Sequence, residues 1–235
     1  MSNSEQLSKN KKQHVNKSMY STWNENILKN ISGIIINELN NMLINTNFKY
    51  KIIPKLSLND LVYILKNNHS INANNLSTEY LDTYISPDWW IILLQNEKTL
   101  ESFIVWISEA KRQWTNDIRS ANWLKKQAKW NAIERLWKNL SFVRTIFKHE
   151  DITPFVCFGH WSDFEKGSTI LWRVIQMNHW YKLNQLFLNK DNKLDPVSFF
   201  FRKELWSEDE VYNILKSIII QSSEYYNKKY NLWIF

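Results

Sequence analysis

Two spacings of apolar residues alternate along this chain, one suited to helices and one to buried strands. From Ser21 to about Leu43, the residues Ile27, Ile31, Ile34, Ile35, Leu39 and Met42 fall on one helical face. Ser57 followed by Asp60 is an acidic form of the capping box and predicts a helix start for Leu61 to Leu65. The Asn-rich stretch Asn67–Ser77 reads as loop. Two apolar runs, Ile91–Leu94 and Phe103–Ile107, flank the polar segment Gln95–Thr99, which is the pattern of a hairpin of buried strands. Helical period returns from Asn131 to Phe147, where Ile133, Leu136, Leu140, Val143 and Phe147 form one stripe. Phe155–Phe158 reads as a short buried strand, Gly167 to Met177 as a helix, and Leu183–Leu188 and Val197–Phe201 as further strands. Ser207 with Glu210 is a second candidate capping box, for a last helix to about Tyr226. Strands and helices alternate without a repeat or a clear linker, so one α/β domain is expected over residues 21–235. Residues 1–20 are polar and basic and read as a mobile arm.

Composition narrows the partners. At 235 residues and 44% hydrophobic content, the chain can bury one sizeable core and is short for two full domains. A formal charge of +7 and a pI of about 9.3 favour a polyanionic partner. The single cysteine excludes an internal disulfide, and a reducing cytoplasm is the expected compartment. Cys157 sits in the apolar run Pro154–Phe158 and reads as a buried, inert thiol. No apolar run is long enough to span a bilayer, so no membrane association is expected. The five histidines show no metal-ligand spacing.

Candidate chemistry centres on Pro87-Asp88 and, about twenty residues on, Glu109-Ala110-Lys111. Side chains two apart on a strand share a face, so a strand over Phe103–Lys111 projects Glu109 and Lys111 together and Ala110 away. Asp88 opens the partner strand of the hairpin, which lets its carboxylate lie beside Glu109. Two hard oxygen ligands suit Mg²⁺, which keeps waters and phosphate oxygens in its shell. Such an ion activates water and neutralises charge on a phosphate, and Lys111 can steady the developing charge. A metal-dependent phosphodiesterase is one reading. A chance pairing of Pro-Asp with Glu-x-Lys is the other.

The surrounding residues extend the pattern. Ser108-Glu109-Ala110-Lys111-Arg112-Gln113, then Asp117, Asn131-Ala132-Ile133-Glu134-Arg135 and Lys138-Asn139, resemble the EcoRI family of type II restriction endonucleases. Pro154–Phe158 leading into Ser162-Asp163-Phe164, and Ile170-Leu171-Trp172-Arg173, are similar to later parts of the same pattern. The resemblance implies a central mixed β-sheet flanked by helices, Mg²⁺-dependent hydrolysis of double-stranded DNA at a palindrome with central AATT, and action as a homodimer. A cognate DNA methyltransferase is the implied functional partner. Asp88 and Glu109 would hold Mg²⁺, with Lys111 completing the catalytic set. Asn131, Ala132 and Arg135 would meet the adenines, and Glu134 would bind adenine amino groups and link recognition to cleavage. Arg173 matches an arginine that contacts the outer guanine. A second arginine of the pattern is replaced here by Gln176, which leaves the outer base pair open between GAATTC, the first candidate, and another NAATTN palindrome. His160 stands where the family tends to have an acidic residue and is given no role. Two alternatives stay open: a structure-specific nuclease with the same core, and a catalytically inactive DNA-binding protein.

One composition figure is abnormal. Glycine averages about 7% of residues, or roughly sixteen in a chain this long. The chain holds 3 glycines and 13 tryptophans. Trp89, Trp90, Trp130 and Trp161 stand where the family pattern has glycine, and Trp114, Trp123 and Trp180 fall in other turn-like places. Glycine serves such places because backbone must approach closely or take positive φ. Translation of UGA as tryptophan, where the source organism reads it as glycine, would account for both counts. Trp206 is expected to be genuine.

Overall fold

The computed structural model describes residues 29–57, 59–60, 84–85, 90–112, 122–123, 130–160, 169–192, 194–232 and 234. A helix over residues 29–42, α1, precedes strands β1 (Phe48–Ile53), β2 (Leu56–Ser57), β3 (Tyr84–Ile85), β4 (Ile91–Asn96) and β5 (Ser102–Arg112). Then follow α2 (Trp130–Ile146), β6 (Phe155–His160), α3 (Thr169–Met177), β7 (Ser198–Phe201) and α4 (Glu208–Tyr230). Five strands form a mixed sheet in the order β1-β4-β5-β6-β7. The pairs β1/β4 and β4/β5 are antiparallel, whereas β5/β6 and β6/β7 are parallel. The expected arm over residues 1–20, the helix at Leu61–Leu65 and the loop Asn67–Ser77 lie outside the described residues.

The expected hairpin is present, and its turn explains why the polar segment interrupts two apolar runs. Asn96 Oδ1 accepts from the amides of Lys98 and Thr99 at 2.9 and 3.2 Å, so a side chain replaces the ladder at the reversal. In β5 the register slips: Leu93 pairs with Ile104 and Ile92 with Trp106, leaving Val105 as an extra residue. This bulge inverts the alternation. Phe103 and Val105 pack in one core layer, but so does Trp106, and Ile107 then turns to the opposite layer with Ile104. Every residue beyond the bulge, Glu109 and Lys111 included, therefore faces opposite to where the period from Phe103 would send it.

Among the described residues, two helices pack on each face of the sheet. On one side Ile35 and Leu39 of α1 and Leu215 and Ile219 of α4 pack on Ile92, Val105 and Phe158. On the other, Leu136 and Leu140 of α2 and Ile170 and Val174 of α3 pack on Ile104, Phe155 and Phe199. The stripe expected on α2 is buried in full, down to Phe147 just past its end. On α1 the buried stripe is rotated toward Ile36 and Leu43. Ile34 and Met42, expected on the inner face, are exposed at 52% and 65%. Cys157 is buried, as expected.

Two expectations about strands need correction. Strand β1 was not expected, although Phe48, Lys49, Tyr50 and Lys51 alternate buried and exposed. Leu183–Leu188, expected as a strand, is irregular. Its polar groups reach β7 mostly through side chains rather than a ladder. Asn184 exchanges hydrogen bonds with the backbone of Phe201, and Ser198 Oγ bonds both the amide and the carbonyl of Phe187. The segment so covers the open edge of β7, an edge that would otherwise offer unpaired backbone.

The last helix is pinned at both ends. Ser207 and Glu210 close the expected capping box, and Arg202 forks onto Glu210 at 2.6 and 2.7 Å. At the other end, buried Glu150 accepts from Tyr225, Lys229 and Tyr230 of α4 at 2.8 to 2.9 Å. The Arg202 guanidinium, with help from the Ser207 amide, holds the Glu210 carboxyl down at about 2 against an ordinary 4.5. A folded value below the unfolded one means that the stabilisation is complete above pH 4.5 and is lost as pH falls toward 2. Glu210→Gln is therefore expected to lower the melting temperature at pH 7, with the difference shrinking as the pH is lowered through that window, followed by circular dichroism. Ser207→Ala, which removes the cap hydroxyl, is expected to cost about 1 kcal/mol in the same assay.

Candidate functional site

The C-terminal half of β5 carries a charged pair into the protein. Beyond the bulge, Ser108 and Ala110 turn toward the α1/α4 layer, whereas Glu109 and Lys111 turn toward α2. Glu109 is 0% exposed and Lys111 7%. A buried carboxylate must be paired and hydrogen-bonded to remain charged. Lys111 Nζ forms an ion pair with Glu109 Oε1, and Asn139 Nδ2 of α2 donates to Glu109 Oε2 at 2.7 Å. Each carboxylate oxygen thus has its own partner, one from the same strand and one from the helix packed on it. Across the sheet, Glu109 pairs in register with Cys157 and Lys111 with Gly159.

Asp88 lies outside the described residues. The chain two residues beyond it does not: the amide of Ser108 donates to Trp90 O at 3.4 Å, so β4 begins beside the residue that precedes Glu109. Among the described residues, no group of three or more His, Cys, Asp or Glu could hold a metal ion. Glu109 is a single hard oxygen donor group there. Its partners are a cation and an amide, which is the company a metal-binding carboxylate keeps.

The segment Asn131–Arg135 forms the first turns of α2. The helix starts here because the apolar stripe begins at Ile133, which is buried along with Leu136. Those two residues turn Glu134 and Arg135 outward, and both are exposed. Glu134 meets Lys138 one turn on at 3.2 Å, an open surface pair that holds neither side chain firmly. Asn131 and Ala132 are placed in the helix by their backbone only. On α3, Arg173 is half-buried and Gln176 exposed. The packing of α2 against α3 brings Glu134, Arg173 and Gln176 to one groove of about 620 Å³, with Ile133, Trp137 and Met177 completing its lining. The candidate residues thus form two groups, Glu109 with Lys111 in the interior and Glu134 with Arg173 on the surface. Helix α2 joins the groups by supplying Glu134 to the groove and Asn139 to the carboxylate.

Asn139 was given no role by sequence reasoning. Its sequence signal is its place in Lys138-Asn139, part of the segment that resembles the EcoRI family, eight residues or just over two turns beyond Asn131. Trp137, 53% exposed in the groove, was likewise passed over. His160 is buried at the end of β6, in register with Arg112.

Comparison with known proteins bears on the family of the chain. Among curated proteins no sequence matches the chain. The sequence pattern of the family described as restriction endonuclease EcoRI matches residues 11–174, a span that takes in β5, α2, β6 and the start of α3. With the mixed five-stranded sheet flanked by helices, that match shows that the chain belongs to the EcoRI restriction endonuclease family, a family of type II enzymes that act on double-stranded DNA.

Proposed function

We propose that this protein is a Mg²⁺-dependent endonuclease that cuts double-stranded DNA at a palindrome with central AATT, GAATTC being the first candidate, and that it acts as a C2 homodimer. The observation that carries the reading is the buried Glu109, paired with Lys111 on its own strand and bonded by Asn139 from the helix whose first turns hold Asn131–Arg135. A palindromic site presents the same half-site twice, which a two-fold dimer matches. The net charge of +7 suits the phosphate backbone. A methyltransferase protecting the same site is the functional partner such an enzyme requires.

The donor set fits a hard cation. Glu109 offers carboxylate oxygens, and Asp88 precedes the strand that begins beside Ser108. These two residues would hold Mg²⁺, which when bound supplies a more acidic water and neutralises charge on the scissile phosphate. Lys111 sits within reach of the same carboxylate and can place its ammonium against a phosphate oxygen as charge develops there. Burial of the pair keeps bulk water away and strengthens its field. On the surface, Asn131 suits the N6/N7 edge of adenine and Glu134 accepts from an amino group, while Ala132 and Arg135 complete the inner contacts. Arg173 faces the same groove as Glu134 and suits the O6/N7 edge of guanine, with Gln176 beside it.

The test is a plasmid digest with and without Mg²⁺, followed by mapping of the cut ends. Discrete fragments ending in AATT sites are expected. Smearing would point to a structure-specific nuclease, and intact plasmid to an inactive DNA-binding protein. Asp88→Ala and Glu109→Ala are each expected to abolish cleavage while specific binding, measured by gel shift, stays largely intact. Loss of specific binding in both variants would count against their assignment as metal ligands. Arg173→Ala is expected to cost about 1–3 kcal/mol of discrimination at the outer base pair and to leave the inner four unchanged, read from cleavage of a set of NAATTN duplexes.

A further inference from the structure

We infer that Asn139 is a positioning residue that couples the DNA-reading end of α2 to the carboxylate of Glu109. The inference rests on the nuclease reading and deepens it. Asn139 is partly buried, and its amide is 2.7 Å from Glu109 Oε2. The other oxygen of that carboxylate is taken by Lys111. Lys111 and Asn139 thus hold the carboxylate from two directions, and Asn139 does so from another element. That element is α2, whose 17 residues run without a break from Trp130 to Ile146. Asn139 lies eight residues beyond Asn131, about 12 Å along the axis. A helix of this kind moves as a unit, so a small shift of its first turn on DNA reaches Glu109 through one hydrogen bond. Groups that orient a ligating carboxylate typically change metal affinity or activity by 10–100-fold when removed.

The experiment measures Mn²⁺ binding by loss of the free-ion EPR signal, with the full chain bound to a GAATTC duplex or to a duplex lacking AATT. The wild-type protein is expected to bind Mn²⁺ at least tenfold more tightly on the first duplex. Asn139→Ala is expected to lose most of that difference and, because a buried carboxylate oxygen loses its donor, to melt a few degrees lower, while its gel-shift affinity for the site stays close to wild type. Asn139→Gln, which keeps the amide donor, is expected to recover part of it. Equal Mn²⁺ affinity of wild type and Asn139→Ala on the cognate duplex overturns the coupling. A wild-type protein that neither binds Mn²⁺ nor cuts DNA overturns the nuclease reading instead.

A different observation carries a second proposal. The geometry points to Trp123 and Trp180 as glycine positions occupied by tryptophan. Their φ angles are 55° and 67°, in the left-handed region that a bulky side chain avoids. Trp123 is 97% exposed, and Trp180 is 61% exposed with one edge-on contact to Trp172. Trp206 shows the contrast. Its indole donates to Gly159 O, stacks under Arg202 at 3.8 Å and packs edge-on against Phe158 and Phe200. Selective replacement of glycine by tryptophan follows if UGA codons at those two positions encode glycine in the source organism. UGA at the Trp123 and Trp180 codons, with UGG at Trp206, is the expected result, and UGG at all three overturns the proposal. Trp123→Gly and Trp180→Gly are each expected to raise the melting temperature by about 2–4 °C, and a fall in both variants counts equally against it.

Discussion

A charged carboxylate at the centre of a sheet is the constraint from which the rest of this structure follows. Glu109 lies on the middle strand, with strands on either side and helices on both faces, and is fully buried. Its two oxygens are met by Lys111 and Asn139. That requirement ties three things together: the strand must present Glu109 and Lys111 on one face, α2 must pack on that face, and Asn139 must stand at the contacting turn. The apolar stripe of Ile133, Leu136 and Leu140 sets the rotation of α2, and so decides that Asn139 points inward while Glu134 and Arg135 point out. The same packing energy that buries the core orients the polar groups.

The surface groove obeys a related logic. Neither α2 nor α3 can form it alone. Leu136 and Leu140 of α2 and Ile170 and Val174 of α3 share one core layer, and their union leaves Glu134, Arg173 and Gln176 along a common cleft. The interior pair and the cleft are thus two sides of one helix. The first turn of α2 and the turn that carries Asn139 to Glu109 belong to one unbroken helix. The remaining helices hold the platform still: α4 is clamped by Arg202 at its start and by Glu150 near its end, on the face away from the site.

Much of this was legible in the residues. The hairpin, α2, the core of α3, β6 and the capped last helix each carry a strong local signal: an apolar run, a 3.6-residue stripe, or a Ser-x-x-Glu cap. The Glu-x-Lys spacing also reads directly, because a strand places alternate side chains together. Weaker signals misled. Leu183–Leu188 has the composition of a strand, yet Asn184 and Ser198 satisfy its edge through side chains. The lysines of β1 disguised an edge strand whose inner residues, Phe48 and Tyr50, are apolar. On α1 the stripe is rotated from the expected one, because isoleucines occur on several sides of that helix.

Sequence by itself determined that Glu109 and Lys111 share a face, that Asn131–Arg135 open a helix, and that the chain is basic enough to favour a polyanionic partner. It did so because strand alternation and helix period are properties of neighbouring residues and net charge is a sum over the chain. Only the tertiary structure decided which face the pair takes. Counting by twos from Phe103 sends Glu109 to the α1/α4 side, and the extra residue Val105 sends it to α2 instead. A bulge arises from the pairing of two strands, so no pattern within β5 alone announces it. The partnership of Asn139 with Glu109, thirty residues apart in sequence, exists only once that inversion has been made.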